Sequence, residues 1–381
     1  MTEKLYYNDA YIKEFYATVL SVCEEDNGYS VVLDATAFFP EEGGQSADTG
    51  YIGQCKVLDV KEKDGVIYHY TDSAPDVGAG VHCRLNFAER YDKMQCHTAE
   101  HILCGLAHKL YGVDNIGFHL GDDAVTMDLS EVLTREQLDK IEELANEAIF
   151  ANVAVTTIFP TKEELSSLEY RSKLDITDGV RIVMIGEYDS CACCAPHVAT
   201  TGEIGLVKIL DFEKHRGGVR LWIVAGKRAL LDYRARYTTA QRISALLSEP
   251  QSSIDSGVER LLSAYEELKG KIKLLRLEAA RAHGESVATS SGNVVVVMPD
   301  ATAEEMRELS AAALPKIEGM LVILTGTDGD YKYIISSRNI EVSNLAKQIN
   351  AELSGRGGGR GYMIQGSFYT TLEEIKNYFE K

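Results

Sequence analysis

The chain has 381 residues, 45% of them hydrophobic and 25% charged, an ordinary globular composition with room for two or three cores. No apolar run approaches the roughly 20 residues that span a bilayer, and Met1–Phe15 lacks the basic-then-apolar pattern of an export signal, so a cytoplasmic protein with no membrane association is expected. A formal net charge of −19 excludes a nonspecific coat for nucleic acid, because phosphate repels an acidic surface, and predicts weak, salt-sensitive binding to arbitrary RNA.

In chain order, residues 1–88 read as short strands and turns. Asn27-Gly28 and Asp64-Gly65 are hairpin signals flanked by the alternating segments Tyr29–Leu33 and Val66–Tyr70, which predicts a small β-barrel. Residues 89–226 read as an α+β unit. It opens with a helix from Glu89 to Tyr111 that Gly112 ends, and Thr134-x-x-Gln137 and Thr161-x-x-Glu164 are capping boxes that start two more helices. Strands follow at Arg181–Ile185, Ile204–Phe212 and Val219–Val224. From 227 to 285 the pattern becomes a helical arm, broken at Ser248-Glu-Pro250. Val258, Leu261, Tyr265, Leu268, Ile272 and Leu275 alternate three and four apart as a coiled-coil seam. His283–Gly292 reads as a small-residue linker. Residues 292–381 read as a βαββα domain followed by the glycine-rich loop Gly355–Gly361. The fold class is therefore α+β, with a barrel, an α+β subdomain, an arm and a C-terminal α/β domain.

The eight cysteines, in a large chain without an export signal, suggest reduced thiols rather than a disulfide framework. His97 and His101 stand four apart on the first predicted helix, which puts both imidazoles on one face, one turn apart. In Ser190-Cys-Ala-Cys-Cys-Ala-Pro-His197, Cys193 and His197 are also four apart. Together these residues make a four-ligand set for Zn²⁺, with Cys191 and Cys194 as alternatives to Cys193; imidazole and thiolate disfavour Mg²⁺ and Ca²⁺. His97-Thr-Ala-Glu100-His101 also fits the H-x-x-E-H pattern of a zinc peptidase, in which Glu100 is the general base. Glu100 reads otherwise as a helix-surface carboxylate or as a partner to the ligands. The loop Thr36–Gln45 combines a backbone-fixing Pro40 with Gly43 and Gly44, which permit close approach, and by itself reads as a turn. The C-terminal glycine loop lacks the G-K-[ST] ending of a nucleotide-binding loop, and its Arg356 and Arg360 suit contact with an RNA backbone. Lys269, Lys271, Lys273 and Arg276 form a basic run on the arm, either a solvated face or a second RNA contact.

Four blocks, in order, carry a resemblance. Thr36-Ala-Phe-Phe-Pro-Glu-Glu-Gly-Gly-Gln45 with Asp48-Thr-Gly50 resembles T-x-F-Y-P-x-G-G-G-Q…D-T-G. Arg90 with His97-Thr-Ala-Glu-His-Ile-Leu103 resembles the H-T-A-x-H-L-L block. Val180-Arg-Ile-Val183, Cys193-x-x-x-His197 and Thr201-Gly-Glu-Ile-Gly205 resemble V-R-V-V…C-G-G-T-H-V…T-G-E-I-G. Gly357–Gly361 with Gln365-Gly366 resembles G-G-G-R…A-Q-G. The chain is thus similar to the long-form alanyl-tRNA editing proteins of the AlaX type, themselves similar to the editing and C-terminal parts of alanyl-tRNA synthetase. It departs from them at Glu42, in place of a glycine, and at Cys-Cys-Ala-Pro-His, in place of C-G-G-T-H.

The resemblance implies a hydrolase that deacylates tRNA(Ala) mischarged with serine or glycine, using one Zn²⁺ held by His97, His101, Cys193 and His197. It implies Thr36 as the contact for a serine hydroxyl, Gln45 as a residue that positions the ester, and Gly43 and Gly44 beside the substrate. With a barrel so near residue 1, no aminoacylation domain and no ATP chemistry are expected, so the protein would act in trans. A homodimer through the arm and C-terminal domain is expected. The rival readings are a zinc peptidase and a zinc-stabilised tRNA-binding module without catalysis.

Overall fold

The computed structural model describes residues 2–121, 124–172 and 179–380. It combines sheets with helices, as the α+β reading expects, and divides into two compact units, Met1–Gln241 and Arg242–Lys381.

In the first unit six antiparallel strands close on one another in the order Glu14–Glu25, Gly28–Leu33, Val66–Thr71, Cys55–Lys63, Gly50–Ile52 and Gly80–Leu85. Alternate residues such as Phe15, Ala17 and Val19 turn inward, and Val31, Leu33, Val57, Ile67 and Cys83 join them in a core shared with Phe38 and Phe39. Asp64 and Gly65 form a two-residue hairpin loop with φ of 51° and 76°, matching the sequence signal. At the other hairpin Glu25 pairs with Gly28, so the loop is Asp26-Asn27, one residue earlier than expected. Gly28 begins the strand instead. A Cβ there would lie 2.3 Å from the Thr71 carbonyl oxygen, so the close approach of a neighbouring strand demands the glycine.

The helix Phe87–Tyr111 (α1) follows, and Gly112, in the left-handed conformation, ends it as expected. It is buried almost continuously from Lys93 to Ala107. Met94, Ile102, Leu103 and Leu106 share a core with the helix Arg135–Phe150 and with a four-stranded sheet of order Val207–His215, Gly218–Ala225, Val125–Leu129, Asn115–Leu120. Both predicted capping boxes form, Thr134 with Gln137 and Thr161 with Glu164. A three-stranded sheet of Val155–Ile158, Ile182–Ile185 and Asp189–Ala192 completes the unit.

Near its N-terminus α1 is bolted to the barrel. The Arg90 guanidinium, 1% exposed, donates from Nε to both Asp48 carboxylate oxygens at 3.0 and 2.9 Å and pairs with Asp48 again through Nη2. It also donates to the carbonyls of Ala37, at 2.6 Å, and Ala10, at 3.1 Å, while Asp48 accepts the Phe39 N–H. Barrel, Thr36 loop and α1 thus meet at one buried ion pair.

In the second unit the helix Ile254–Ser286 precedes a five-stranded sheet of order Val294–Val297, Met320–Thr327, Asp330–Ser337, Met363–Phe368, Gly355–Arg360. Two sequence expectations change here. The predicted linker from His283 is helical through Ser286, because its small residues serve close packing: a Cβ on Gly284 would lie 2.5 Å from the Leu309 carbonyl oxygen of helix Ala303–Ala313. The glycine-rich segment is an edge strand rather than a loop. A Cβ on Gly355, Gly357 or Gly359 would collide with Phe368, Tyr333 or Met363, so these alternate positions admit only glycine, while Arg356, Gly358 and Arg360 face the other way. The basic run is internally neutralised. Lys269 pairs with Glu266, Lys271 with Glu267, Lys273 with Glu304 and Arg276 with Glu305, which favours the solvated-face reading.

Replacing Arg90 with methionine strands the buried Asp48 charge. The expected outcome is a loss of about 3–5 kcal/mol in chemical denaturation; a loss below about 1 kcal/mol would show that the pair is not what joins barrel to helix.

Candidate metal centre

His97 and His101 project from the buried middle of α1, while Cys193 and His197 come from the turn after strand Asp189–Ala192. The fold brings all four together. One nitrogen from each histidine and the Cys193 sulfur lie within 4.8 Å of one another, and the three rings stand 4.7–5.3 Å apart, centroid to centroid. Cys193 Sγ is 3.7 Å from His97 Nε2 and 3.4 Å from His197 Nε2. A tetrahedral zinc ion with ordinary Zn–N and Zn–S distances sets such N···S edges at about 3.5 Å, so the donor set fits that ion in type and spacing.

The imidazoles are held in the tautomer a metal needs. His101 Nδ1 lies 2.9 Å from the Asp189 carboxylate, which can only accept. His97 Nδ1 lies 2.8 Å from Gln45 Oε1, also an acceptor. His197 Nδ1 lies 3.0 Å from Thr98 Oγ1, whose own proton goes to the Met94 carbonyl. Each Nδ1 therefore carries a proton and each ring presents Nε2 to Cys193, so a metal displaces only a proton shared between Nε2 and the sulfur. Asp189 is fixed in turn by a two-pronged pair with Arg171, at 2.7 and 2.9 Å. Burial alone would raise the Cys193 thiol, but the positive potential of His97 and His197 and hydrogen bonds from His101 and His197 hold it well below its ordinary value. Burial drives His197 down to about 3. A thiolate beside a neutral imidazole is the ionisation state that metal ligation requires.

His97, His101 and Cys193 form part of the wall of a cavity of about 380 Å³, with His197 behind them. Tyr7, Phe118 and Phe159 line it with apolar surface; Glu42, Glu100, Arg171 and Arg181 supply charge. Arg181 donates to the carbonyls of Cys193 and Ala195, bracing the ligand turn from behind.

Family comparisons agree with this architecture. The Threonyl and Alanyl tRNA synthetase second additional domain matches residues 180–221, the class II (A) tRNA synthetases match 2–89, and the DHHA1 domain matches 291–381. The alanyl-tRNA editing protein AlaX-L of Pyrococcus horikoshii is 27% identical over 98% of this chain and 96% of its own. The chain resembles the AlaX-type editing proteins over nearly its whole length. The alanine–tRNA ligases of Halorubrum lacusprofundi and Pyrococcus furiosus are 33% and 30% identical over 94% and 100% of this chain. The chain spans only about two fifths of those ligases, 40% and 43%.

The other residues singled out in the AlaX-type blocks take varied places. Gly43 and Gly44 form a tight turn between Glu42 and Gln45, with φ of 62° and 84°. Gly44 approaches strand Asn115–Leu120 so closely that a Cβ would lie 2.4 Å from the Phe118 carbonyl oxygen. This turn seats Gln45, fully buried, behind His97. Thr36 is not brought to the cavity. Its hydroxyl, also fully buried, lies 2.8 Å from His69 Nε2 and accepts the Phe38 N–H. Because His69 Nδ1 gives its proton to the Val31 carbonyl, the Thr36 proton goes to His69 and is not free for a substrate hydroxyl. Glu100 is 4% exposed, not a surface carboxylate. Arg356 and Arg360 are exposed on the second unit's edge strand. Sequence reasoning missed Asp189, Thr98 and Asn115. Thr98 had a signal, lying inside the histidine block; Asp189 and Asn115 had none beyond their residue type.

Asp189→Asn leaves the His101 tautomer unspecified. Zinc affinity measured by competition with a chelator is expected to fall ten- to a hundredfold; unchanged affinity in a folded variant would mean that His101 is not a ligand.

Proposed function

We propose that this protein hydrolyses the ester joining serine or glycine to the terminal ribose of tRNA(Ala), using one Zn²⁺ held by His97, His101, Cys193 and His197. The observation that carries this is the three-imidazole, one-thiolate cluster at a cavity wall, within a chain similar along its length to an alanyl-tRNA editing protein. The cavity suits the end of a charged tRNA: about 380 Å³ admits an aminoacyl group with its sugar and excludes a duplex. A zinc ion in this place supplies a Lewis acid that polarises the ester carbonyl or a water molecule. Gln45 is a positioning residue that acts through His97, and Asp189 does the same through His101. Thr36 is spent inside the barrel on His69 and the Phe38 N–H.

We assign tRNA contact to Arg356 and Arg360. They share one face of an exposed edge strand, with Arg356 over the Tyr369 ring at 5.6 Å, a local cationic surface on an acidic chain. A homodimer fits the arm. Val258, Leu261, Tyr265, Leu268, Ile272 and Leu275 are each 40–63% exposed along a 33-residue helix, an apolar seam that a second copy would cover.

The purified protein should hold about one zinc per chain and deacylate seryl- or glycyl-tRNA(Ala) in preference to alanyl-tRNA(Ala). His97→Ala and Cys193→Ala should lose metal and hydrolysis together, whereas exposed Cys23→Ala should lose neither. A full metal complement with no deacylation would favour a binding module, and peptide cleavage would favour a peptidase. In sedimentation velocity the wild type should run as a dimer and Leu268→Glu/Ile272→Glu as a monomer; a monomeric wild type refutes the arm assignment.

A further inference from the structure

Glu100 lies outside the ligand cluster yet beside it, three residues after His97 and one before His101, and it lines the same cavity. Asn115 Nδ2 and the Cys104 thiol, the latter at 3.0 Å, both donate to its Oε1. Asn115 is itself fixed, because its Oδ1 accepts the Gly117 N–H at 2.9 Å. Among the described residues nothing donates to Oε2, and no lysine, arginine or histidine pairs with this carboxylate. Oε2 is not sealed in the protein either, so it opens on the cavity. Neither guanidinium group in the wall pairs with Glu100: Arg171 is held by Asp189, and Arg181 spends Nη1 on the Cys193 and Ala195 carbonyls while its buried Nε has no partner among the described residues. A carboxylate withdrawn from water, held by two donors on one oxygen and open on the other, is costly unless a cation meets it.

We propose that Glu100 receives the α-ammonium group of the substrate, so that the cavity takes esters of amino acids whose amine is free and rejects N-acylated or peptidyl esters. This rests on the reading of the site as an aminoacyl-ester hydrolase. An ammonium brings a full charge and three donors to Oε2. An N-acyl amide brings one weak donor and no charge, and its acyl group must fit where the carboxylate already stands. The H-x-x-E-H spacing then has a reading unconnected with peptidase chemistry: the helix that presents two imidazoles presents a substrate-binding anion on the same side.

The test is calorimetry on the zinc-loaded full-length protein with two non-hydrolysable probes, 3′-serylamido-3′-deoxyadenosine and its N-acetyl derivative. The wild type is expected to prefer the free amine by about tenfold to a hundredfold, the effect of one charged hydrogen bond. Glu100→Gln should bring the ratio close to one through loss of free-amine binding, with zinc content unchanged. Glu100→Asp, which keeps the charge but withdraws it by one methylene, should retain part of the preference. A wild type without preference, or a Glu100→Gln protein that keeps it, overturns the proposal. So does loss of zinc with equal weakening of both probes, which would make Glu100 a counter-charge to the metal. Deacylation of seryl-tRNA and N-acetyl-seryl-tRNA is measured alongside. Equal collapse of both rates in Glu100→Gln with the probe ratio intact would make Glu100 a general base and overturn the assignment. An intact wild-type ratio that Glu100→Gln abolishes, with no turnover of any ester, would support Glu100 while overturning the hydrolase reading.

Discussion

Each of the three clustered imidazoles gives its Nδ1 proton to a buried acceptor, and the rest of the site depends on this. Gln45, Thr98 and Asp189 come from three different parts of the first unit: a glycine turn beside the barrel, α1 itself and a strand of the small sheet. Rotating any one ring would break a buried hydrogen bond, leaving a polar group unpaired at a cost of about 1–3 kcal/mol. The Nε2 atoms are therefore aimed before any ligand arrives, and the Cys193 thiolate sits where they converge. A donor set organised in this way need not reorder itself on binding, which is what second-sphere partners contribute to metal affinity.

The acceptors must be held as firmly as the rings, and much of the surrounding sequence serves that end. The Arg90–Asp48 pair joins α1 to the loop that leads from Phe39 to the glycine turn, so Gln45 and His97 are registered to one another by a buried ion pair. Gly44 lets that turn lie against strand Asn115–Leu120, which also supplies Phe118 and Asn115 to the cavity. Arg171 neutralises Asp189, and Arg181 braces the ligand turn through two carbonyls. Thr36, Asp48 and Arg90 of the AlaX-type blocks line no part of the cavity: Asp48 and Arg90 join the loop to α1, and Thr36 is bonded within the barrel. In the second unit the alternate glycines of Gly355–Arg360 let an edge strand pack tightly and leave its arginines outward.

Electrostatics is divided between the surface and the site. An acidic chain of net charge −19 repels nucleic acid at large, so recognition of an RNA must come from local cationic surface. The lysines of the arm do not provide it, since neighbouring glutamates pair with them, while Arg356 and Arg360 have no such partners among the described residues. Inside the cavity the reverse arrangement holds. Arg171 is engaged by Asp189 and Arg181 by two backbone carbonyls, while Glu42 and Glu100 bring carboxylates with no cationic partner among the described residues.

What was legible in the sequence was whatever repeats locally. The four-apart spacings His97/His101 and Cys193/His197, the helix-ending Gly112, the capping boxes and the Asp64-Gly65 hairpin depend on a few neighbouring residues and read directly from the chain. Glycines were less legible, because a glycine demanded by φ and one demanded by a neighbouring backbone look alike in sequence. Gly284, Gly355 and Gly359 belong to the second kind, and Gly28 and Gly357 to both, hence the displaced turn, the lengthened helix and the strand in place of a loop. Only the tertiary structure decided which cysteine sulfur meets the histidines, that Thr36 spends its proton on His69, and that Asp189 stands 88 residues from the imidazole it orients. These are pairings between distant segments, set by how the barrel, α1 and the sheets pack, and no local period records them.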